Sequence, residues 1–141
     1  SRFIQVTGDG ITKLSNIFVN FAKEKLKEED EQKLEKYKNA PFRAPMIIIL
    51  VSHIQDHPKV PEIEQVMSTA AAAQNILLAL KAINYAGMWR TGAFSLNDDI
   101  TKYLGLDEDH RVLGYLYVGT PDGPDKKIPE LDLDDFITKW D

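Results

Sequence analysis

Several kinds of residue that carry common chemistries are absent or scarce in this chain of 141 residues. It has no cysteine, which excludes disulfide scaffolds, thiolate metal sites and cysteine nucleophiles and is compatible with the cytoplasmic location that we expect. Its 17 basic residues are outnumbered by 22 acidic ones, giving a net charge of −5 at pH 7. Because proteins that bind phosphate backbones need a basic excess, we expect no nucleic-acid partner.

Long apolar runs are also missing. The stretch of residues 66–80 has no charged residue but contains Gln74 and Asn75, whereas a membrane span needs about 20 mostly apolar residues. We therefore expect a buried helix there and no membrane association. The chain begins without Met and enters a strand-like pattern at once, with no secretory signal. We expect a single domain over residues 1–141 that lacks its N-terminal segment.

Alternation, periodicity and turn residues predict a mixture of strands and helices. The predicted strands are 2–7, 46–51 and 111–118, and the predicted helices are 11–27, 62–86 and a short one that ends at residue 104. The six consecutive apolar residues from Met46 to Val51 favour a central strand covered on both faces. Ser95 and Asp98 have the spacing of a capping box and would open the short helix.

The predicted helix 62–86 is nearly apolar all round between Ile76 and Ile83. Such a helix must be covered on every side, and in a domain of this size the extra cover would come from a second subunit. Its alanines, Ala70 to Ala73, would let a partner backbone approach, but alanine also favours a helix for local reasons. The acidic tail 125–141 contains regularly placed apolar residues, and we expect it to pack on its own subunit or on a neighbour.

Most familiar site motifs are absent. The chain lacks the glycine fingerprint of dinucleotide-binding folds, the P-loop and the nucleophile elbow. His53 and His57 are four residues apart, but the first ends a strand and the second precedes Pro58, so they do not share a helix face. We therefore expect no metal site, and we expect His110 to be exposed. No set of catalytic acids, bases or nucleophiles is evident, so we name no catalytic residue.

The segment Gly87–Gly92 contains the parts of a nucleotide or flavin site. Its glycines permit a close backbone approach, Arg90 can bind an anion with two hydrogen bonds, and Trp89 can pack on a flat ring. The same residues also fit a helix C-cap at Gly87, a core tryptophan and a surface arginine. Composition alone does not decide between these two interpretations.

Four segments in order resemble the FMN-dependent nitroreductases, in particular the short, YdjA-like subgroup. They are Asn39–Pro45, the pair His57–Pro61 and Glu64–Ser68, Gly87–Gly92, and Gly114–Pro121. No single segment is specific, but the ordered set is, and it extends from Arg2 to about Pro121. The family's arginine-rich phosphate-binding segment, which precedes its first strand, is not part of this sequence.

The resemblance implies an α+β fold, a nitroreductase-like sandwich in which helices flank a mostly antiparallel sheet, and a homodimer with FMN at the subunit interface. By position, Trp89, Arg90 and Thr91 would contact FMN, with Arg90 near its phosphate or polar side chain. The implied activity passes a hydride from NAD(P)H through the flavin to a small electron-poor acceptor such as a nitroaromatic or a quinone. The alternative is a non-catalytic dimeric binding domain that keeps the fold without the flavin.

Overall fold

The computed structural model describes residues 1–124 and 127–140. In this part of the chain, one four-stranded sheet is combined with four α-helices and two short 3-10 helices, Ala40–Arg43 and Leu133–Asp135. The main elements are, in chain order, β1 (Arg2–Thr7), α1 (Asp9–Glu24), α2 (Glu31–Asn39), β2 (Met46–His53), α3 (Glu62–Ala82), β3 (Ala86–Arg90), α4 (Asp98–Tyr103) and β4 (His110–Gly119).

All strands of the sheet pair antiparallel in the order β1-β2-β4-β3. β2 lies inside the sheet between β1 and β4, as its apolar run predicted. The α+β class and the antiparallel sheet flanked by helices are therefore confirmed, whereas the dimer stays a prediction. No helix among the described residues has the length and apolar character that crossing a bilayer requires.

One face of the sheet, here called the α1 face, is closed by helices of the same chain. Phe18 of α1 stacks on Phe94 with ring centroids 4.2 Å apart and meets Tyr115 of β4 edge-on at 5.1 Å. The amphipathic stripe of α1 thus finds its cover locally, because each of its large apolar side chains meets an aromatic ring or the sheet. The buried residues on this face are Val6, Ile11, Leu14, Phe18, Phe21, Ala22, Ile47, Ile49, Val51, Phe94, Ile100, Val112, Tyr115 and Tyr117.

The opposite face, here called the α3 face, has a smaller core of Leu50, Ala73, Leu113, Leu116 and Val118. Although α3 spans 21 residues, only Thr69 and Ala73 are buried. Its outer side exposes large apolar side chains, including Met67 and Leu78, each 60 % exposed. Within the described chain, α3 therefore covers the sheet on one side and leaves an apolar surface on the other.

Two local predictions are wrong. The helix predicted to reach residue 86 ends at Ala82, and Ala86–Arg90 forms β3 by pairing with Tyr115–Gly119. The short helix is capped by Asn97, whose side chain accepts a hydrogen bond of 2.9 Å from the Asp99 N–H. Ser95 instead donates its hydroxyl to the carbonyl of Gly92, at 3.3 Å.

The described part of the tail, residues 127–140, does not pack on its own subunit. All side chains of residues 127–140 are exposed, and Trp140 is 95 % exposed. Of the two alternatives for this segment, only packing on a neighbour is left as a prediction. Residues 125, 126 and 141 of the predicted tail lie outside the described residues.

Candidate functional site

The predicted site residues Trp89 and Arg90 lie on β3, an edge strand, so their side chains point to opposite faces of the sheet. Trp89 pairs with Leu116 and packs with the core of the α3 face. Arg90 pairs with Tyr115 and lies on the other side, as does Met88 opposite Tyr117. The structure therefore places on opposite faces of the sheet two side chains that the resemblance assigned to one FMN-contacting segment.

The side chain of Trp89 links β3 to β4 through a hydrogen bond. Its indole N–H donates a hydrogen bond of 3.1 Å to the carbonyl of Leu113. Directly beneath the indole lies Gly114, which has a φ of 139° and follows a bulge in the pairing of β2 with β4. A Cβ atom at Gly114 would lie 2.3 Å from the indole nitrogen and 2.6 Å from the carbonyl oxygen of Arg90. Only glycine at position 114 allows the Trp89 indole to pack this closely against the backbone of β4.

Arg90 opens onto a cleft of about 730 Å³, here called the Arg90 cleft, at the edge of β3. Arg43 of the first 3-10 helix, Tyr117 of β4 and the loop 119–124 also line it. Burial raises the pKa of the Tyr117 phenol, and the charges of Arg43 and Arg90 offset this only in part. The phenol is therefore protonated at neutral pH and lines the same cleft as two guanidinium groups. This combination suits an anionic ligand, since guanidinium groups bind phosphate with paired hydrogen bonds.

Thr91 follows β3 and lies exposed between two fixed points. On one side is the β3–β4 ladder. On the other, the carbonyl of Phe94 accepts a hydrogen bond of 2.6 Å from the buried Tyr115 hydroxyl, while the Phe94 ring stacks on Phe18. Burial raises the pKa of Tyr115, so this phenol also stays a donor. The backbone around Thr91 is thus held from both ends.

The sequence did not predict Arg43 or Tyr117 as site residues. Both lie within segments that carried the family resemblance, Asn39–Pro45 and Gly114–Pro121, and that was the signal available. A larger groove of about 1030 Å³ lies between α1 and α2, away from these segments. Its charged lining residues balance in sign, two lysines against two glutamates, whereas in the Arg90 cleft three cationic residues outnumber Asp122.

The prediction of an exposed His110 is wrong. Its side chain is only 15 % exposed, because it stacks on His53 with ring centroids 4.7 Å apart. His53 and His110 face each other across the β2–β4 ladder, and Asp109 contacts both. His53 therefore has His110 as its neighbour rather than His57.

Comparison with known proteins gives this fold and site a class. The model of the nitroreductase family matches residues 1–120, so the chain belongs to this family. YdjA of Escherichia coli (strain K12), named for an NAD(P)H nitroreductase, is 38% identical over 92 residues, which are 65% of this chain and 50% of YdjA. A protein of Haemophilus influenzae with the same type of name is 31% identical over 110 residues, covering 77% of this chain and 60% of the relative. The chain thus spans half to three fifths of the length of these relatives.

Solved structures have the same fold over nearly the whole chain. A nitroreductase-like family protein from Bacillus cereus gives a TM-score of 0.78 at 19% identity and covers 99% of this chain and 72% of its own. A nitroreductase with bound FMN from Bacteroides fragilis gives a TM-score of 0.66 at 22% identity and covers 99% of this chain and 75% of its own. The FMN-dependent nitroreductase NfnB from Mycobacterium smegmatis, in complex with NADPH, gives a TM-score of 0.68 at 16% identity and covers 99% of this chain and 78% of its own. At these identities the likeness establishes the fold.

Proposed function

We propose that this protein is an FMN-dependent oxidoreductase that takes electrons from NAD(P)H and passes them to a small electron-poor acceptor, such as a nitroaromatic or a quinone. The observation that carries the proposal is the Arg90 cleft, which Arg43, Arg90 and Tyr117 line at the edge of β3 that pairs with no other described strand. Membership of the nitroreductase family and the names of the relatives support the same activity.

The residues of the cleft fit FMN by charge and by hydrogen bonding. A phosphate group needs cationic donors, and the two guanidinium groups supply them. The edge of a flavin ring carries both donors and acceptors, and the outer edge of β3 presents backbone groups of both kinds without pairing to another described strand. Of the three predicted contacts, Arg90 and Thr91 would therefore touch the cofactor, while Trp89 acts through the strand that it holds in place.

When bound, FMN supplies the redox chemistry by accepting a hydride and releasing it to the acceptor. The chain's own contribution is binding and orientation. Arg90 and Arg43 neutralise negative charge, the protonated Tyr117 phenol donates a hydrogen bond, and the Trp89 indole keeps β3 in register with β4. No side-chain proton transfer is assigned, and we name no catalytic residue.

A homodimer is part of the proposal. The exposed apolar side of α3 and the exposed apolar residues of the tail both need cover, and a second copy of the chain would provide it. The α3 side bears Met67 and Leu78, and the tail bears Phe136 and Trp140. The partners are thus a second copy and a small-molecule acceptor, and the cytoplasmic location stays a prediction.

The test is an FMN titration of the full gene product, with wild type beside Arg90→Ala. Loss of a charge-assisted hydrogen bond costs about 1.5–3 kcal/mol, so FMN should bind roughly ten- to a hundredfold more weakly. Melting of the flavin-free protein should change little, because Arg90 is exposed. Arg2→Ala is the matched control, since Arg2 lies on β1 at the other edge of the sheet. Unchanged FMN affinity in Arg90→Ala would contradict the assigned site.

The second candidate function, a non-catalytic dimeric binding domain, makes a different forecast. Wild-type protein would be colourless and would bind no FMN, and NAD(P)H would reduce no quinone in its presence. A yellow protein that oxidises NAD(P)H with a quinone would rule this candidate out. Flavin absorbance of the purified full gene product therefore separates the two functions.

A further inference from the structure

Three metal-ligating side chains meet at the end of the sheet where β2 finishes and β4 begins. His53 is the last residue of β2, His110 is the first of β4, and the two are directly paired. Asp109 precedes His110 and joins them, with its carboxylate oxygens 2.8 Å from His53 Nε2 and 2.7 Å from His110 Nδ1. One nitrogen or oxygen of each residue lies within 4.8 Å of the other two. We call these three residues the histidine cluster.

The polar atoms of the histidine cluster are incompletely satisfied. His110 Nδ1 is buried and makes no hydrogen bond, although a carboxylate oxygen of Asp109 lies 2.7 Å from it. A buried nitrogen without a partner is unfavourable, and a bound cation would relieve it.

We propose that His53, Asp109 and His110 bind a divalent transition-metal ion of the zinc class. Two imidazole nitrogens and a carboxylate oxygen are a ligand set that Zn²⁺ accepts, with water in a fourth position. Tetrahedral Zn²⁺ with ligand bonds of about 2.0–2.1 Å separates its ligand atoms by roughly 3.4 Å. The carboxylate oxygens of Asp109 are 2.8 and 2.7 Å from the two histidine nitrogens, closer than that value, so the side chains must rotate to bring the three ligand atoms into place.

The arrangement also predicts what must move and what need not. The two imidazole planes are nearly parallel, 11° apart, so one ring turns out of the stack when both bind one ion. The backbone can stay fixed, because the ladder pairing of His53 with His110 already holds the ligands together. Arg111 next to the cluster contacts Glu62 at 2.9 Å, which offsets its charge near the ion.

The metal would join the end of β2 to the start of β4. Tyr117 lies seven residue steps along β4 from His110, which places the histidine cluster roughly 23 Å from the Arg90 cleft. At that distance the ion contributes to stability rather than to binding at the cleft. The proposal is therefore independent of the proposed flavin chemistry.

A Co²⁺ titration of protein without a histidine tag tests this site, followed by displacement with Zn²⁺. Wild type should give visible Co²⁺ absorption bands at one equivalent, and Zn²⁺ should abolish them. His53→Ala and His110→Ala should each weaken binding by more than the roughly 10- to 100-fold that loss of an outer-shell partner costs. His57→Ala is the matched control, since His57 lies outside the histidine cluster, and it should bind like wild type. Absence of the bands, or equal binding by all three variants, would overturn the proposal.

Thermal melting gives an independent readout in case an alanine variant folds poorly. Zn²⁺ should raise the melting temperature of wild type and His57→Ala, but not that of Asp109→Asn, which keeps the side-chain volume and loses the charged ligand. In imidazole ¹⁵N spectra, Zn²⁺ should shift the signals of His53 and His110 and leave that of His57 in place. A Zn²⁺-induced shift confined to His57, or equal stabilisation of Asp109→Asn, would contradict the assigned ligands.

Discussion

The two faces of the sheet are finished in different ways. On the α1 face, the apolar stripe of α1 meets Phe94, Tyr115 and the sheet, so the core closes within one chain. On the α3 face, a longer helix buries only Thr69 and Ala73 and exposes a second apolar side. The difference is visible in the sequences of the two helices. A helix with one apolar stripe needs one packing partner to bury it, whereas a helix that is apolar all round needs packing partners on two sides.

The largest expected effect belongs to the closed face. Phe18→Ala removes the ring that stacks on Phe94, and deletion of a buried aromatic side chain costs about 3–5 kcal/mol of unfolding free energy. Urea denaturation of the flavin-free protein measures this loss. Lys13→Ala on the exposed side of α1 is the control and should change the unfolding free energy little. A loss below about 1 kcal/mol for Phe18→Ala would mean that the α1 face is not the main core.

The next effect concerns the join between β3 and β4. Gly114→Ala should lower the free energy of unfolding by about 1–3 kcal/mol through backbone strain. The loss should exceed this because the new Cβ atom collides with Trp89 and with the Arg90 carbonyl. The collision should also change the near-UV circular dichroism of the indole. Gly123→Ala is the matched control, because Gly123 also has a positive φ, of 104°, but has open space around it. An equal loss of unfolding free energy in both variants, with an unchanged indole signal, would argue against close packing of Trp89 on Gly114.

A smaller and different effect is expected on the open face. Leu78→Lys should leave the melting of a single subunit nearly unchanged, because Leu78 is 60 % exposed in one chain. If a second copy covers this side, the lost apolar burial of about 1.5–3 kcal/mol weakens association at least roughly tenfold. Light scattering after size exclusion measures this, with Leu96→Lys as a control at a position that is 72 % exposed in the α4 region. Equal association by both variants would remove α3 from the interface.

The smallest effect lies at the rim of the α1 face, where the Tyr103 phenol donates a hydrogen bond to the Glu24 carboxylate. This bond, reinforced by partial burial, raises the pKa of Tyr103 from 10.0 to about 12. The contact is therefore complete below pH 10 and is lost as the pH rises through about 12. Subtracting the tyrosinate absorbance titration of Tyr103→Phe from that of wild type isolates this group. A midpoint near 10 would contradict the hydrogen bond.

Sequence patterns predicted the elements whose signals are local. The apolar spacing of α1 and the apolar run of β2 were sufficient, because one stripe or one run has a single arrangement that buries it. β3 was missed, since Ala86–Arg90 has no apolar alternation and becomes a strand only through its ladder with β4. The choice of Asn97 over Ser95 as cap also depends on a contact, the hydrogen bond from Ser95 to Gly92.

The candidate site follows the same rule. Resemblance located the segment of Trp89, Arg90 and Thr91, but the division of Trp89 and Arg90 between two faces required a strand. Arg43 and Tyr117 are distant in the sequence and meet Arg90 only in the fold. The histidine cluster likewise joins residues that are far apart in the chain, so spacing within one segment did not reveal it.

The contrast between a closed and an open face is tested most directly by the mass of the wild-type protein in solution. Sedimentation velocity of the flavin-free chain, at concentrations that bracket the micromolar range, should give a species of twice the 16.0 kDa of one chain. The account predicts that this dimer forms although the α1 face is already complete in each subunit. A single species of 16.0 kDa at every concentration would contradict it, because the apolar side of α3 would then be open to water.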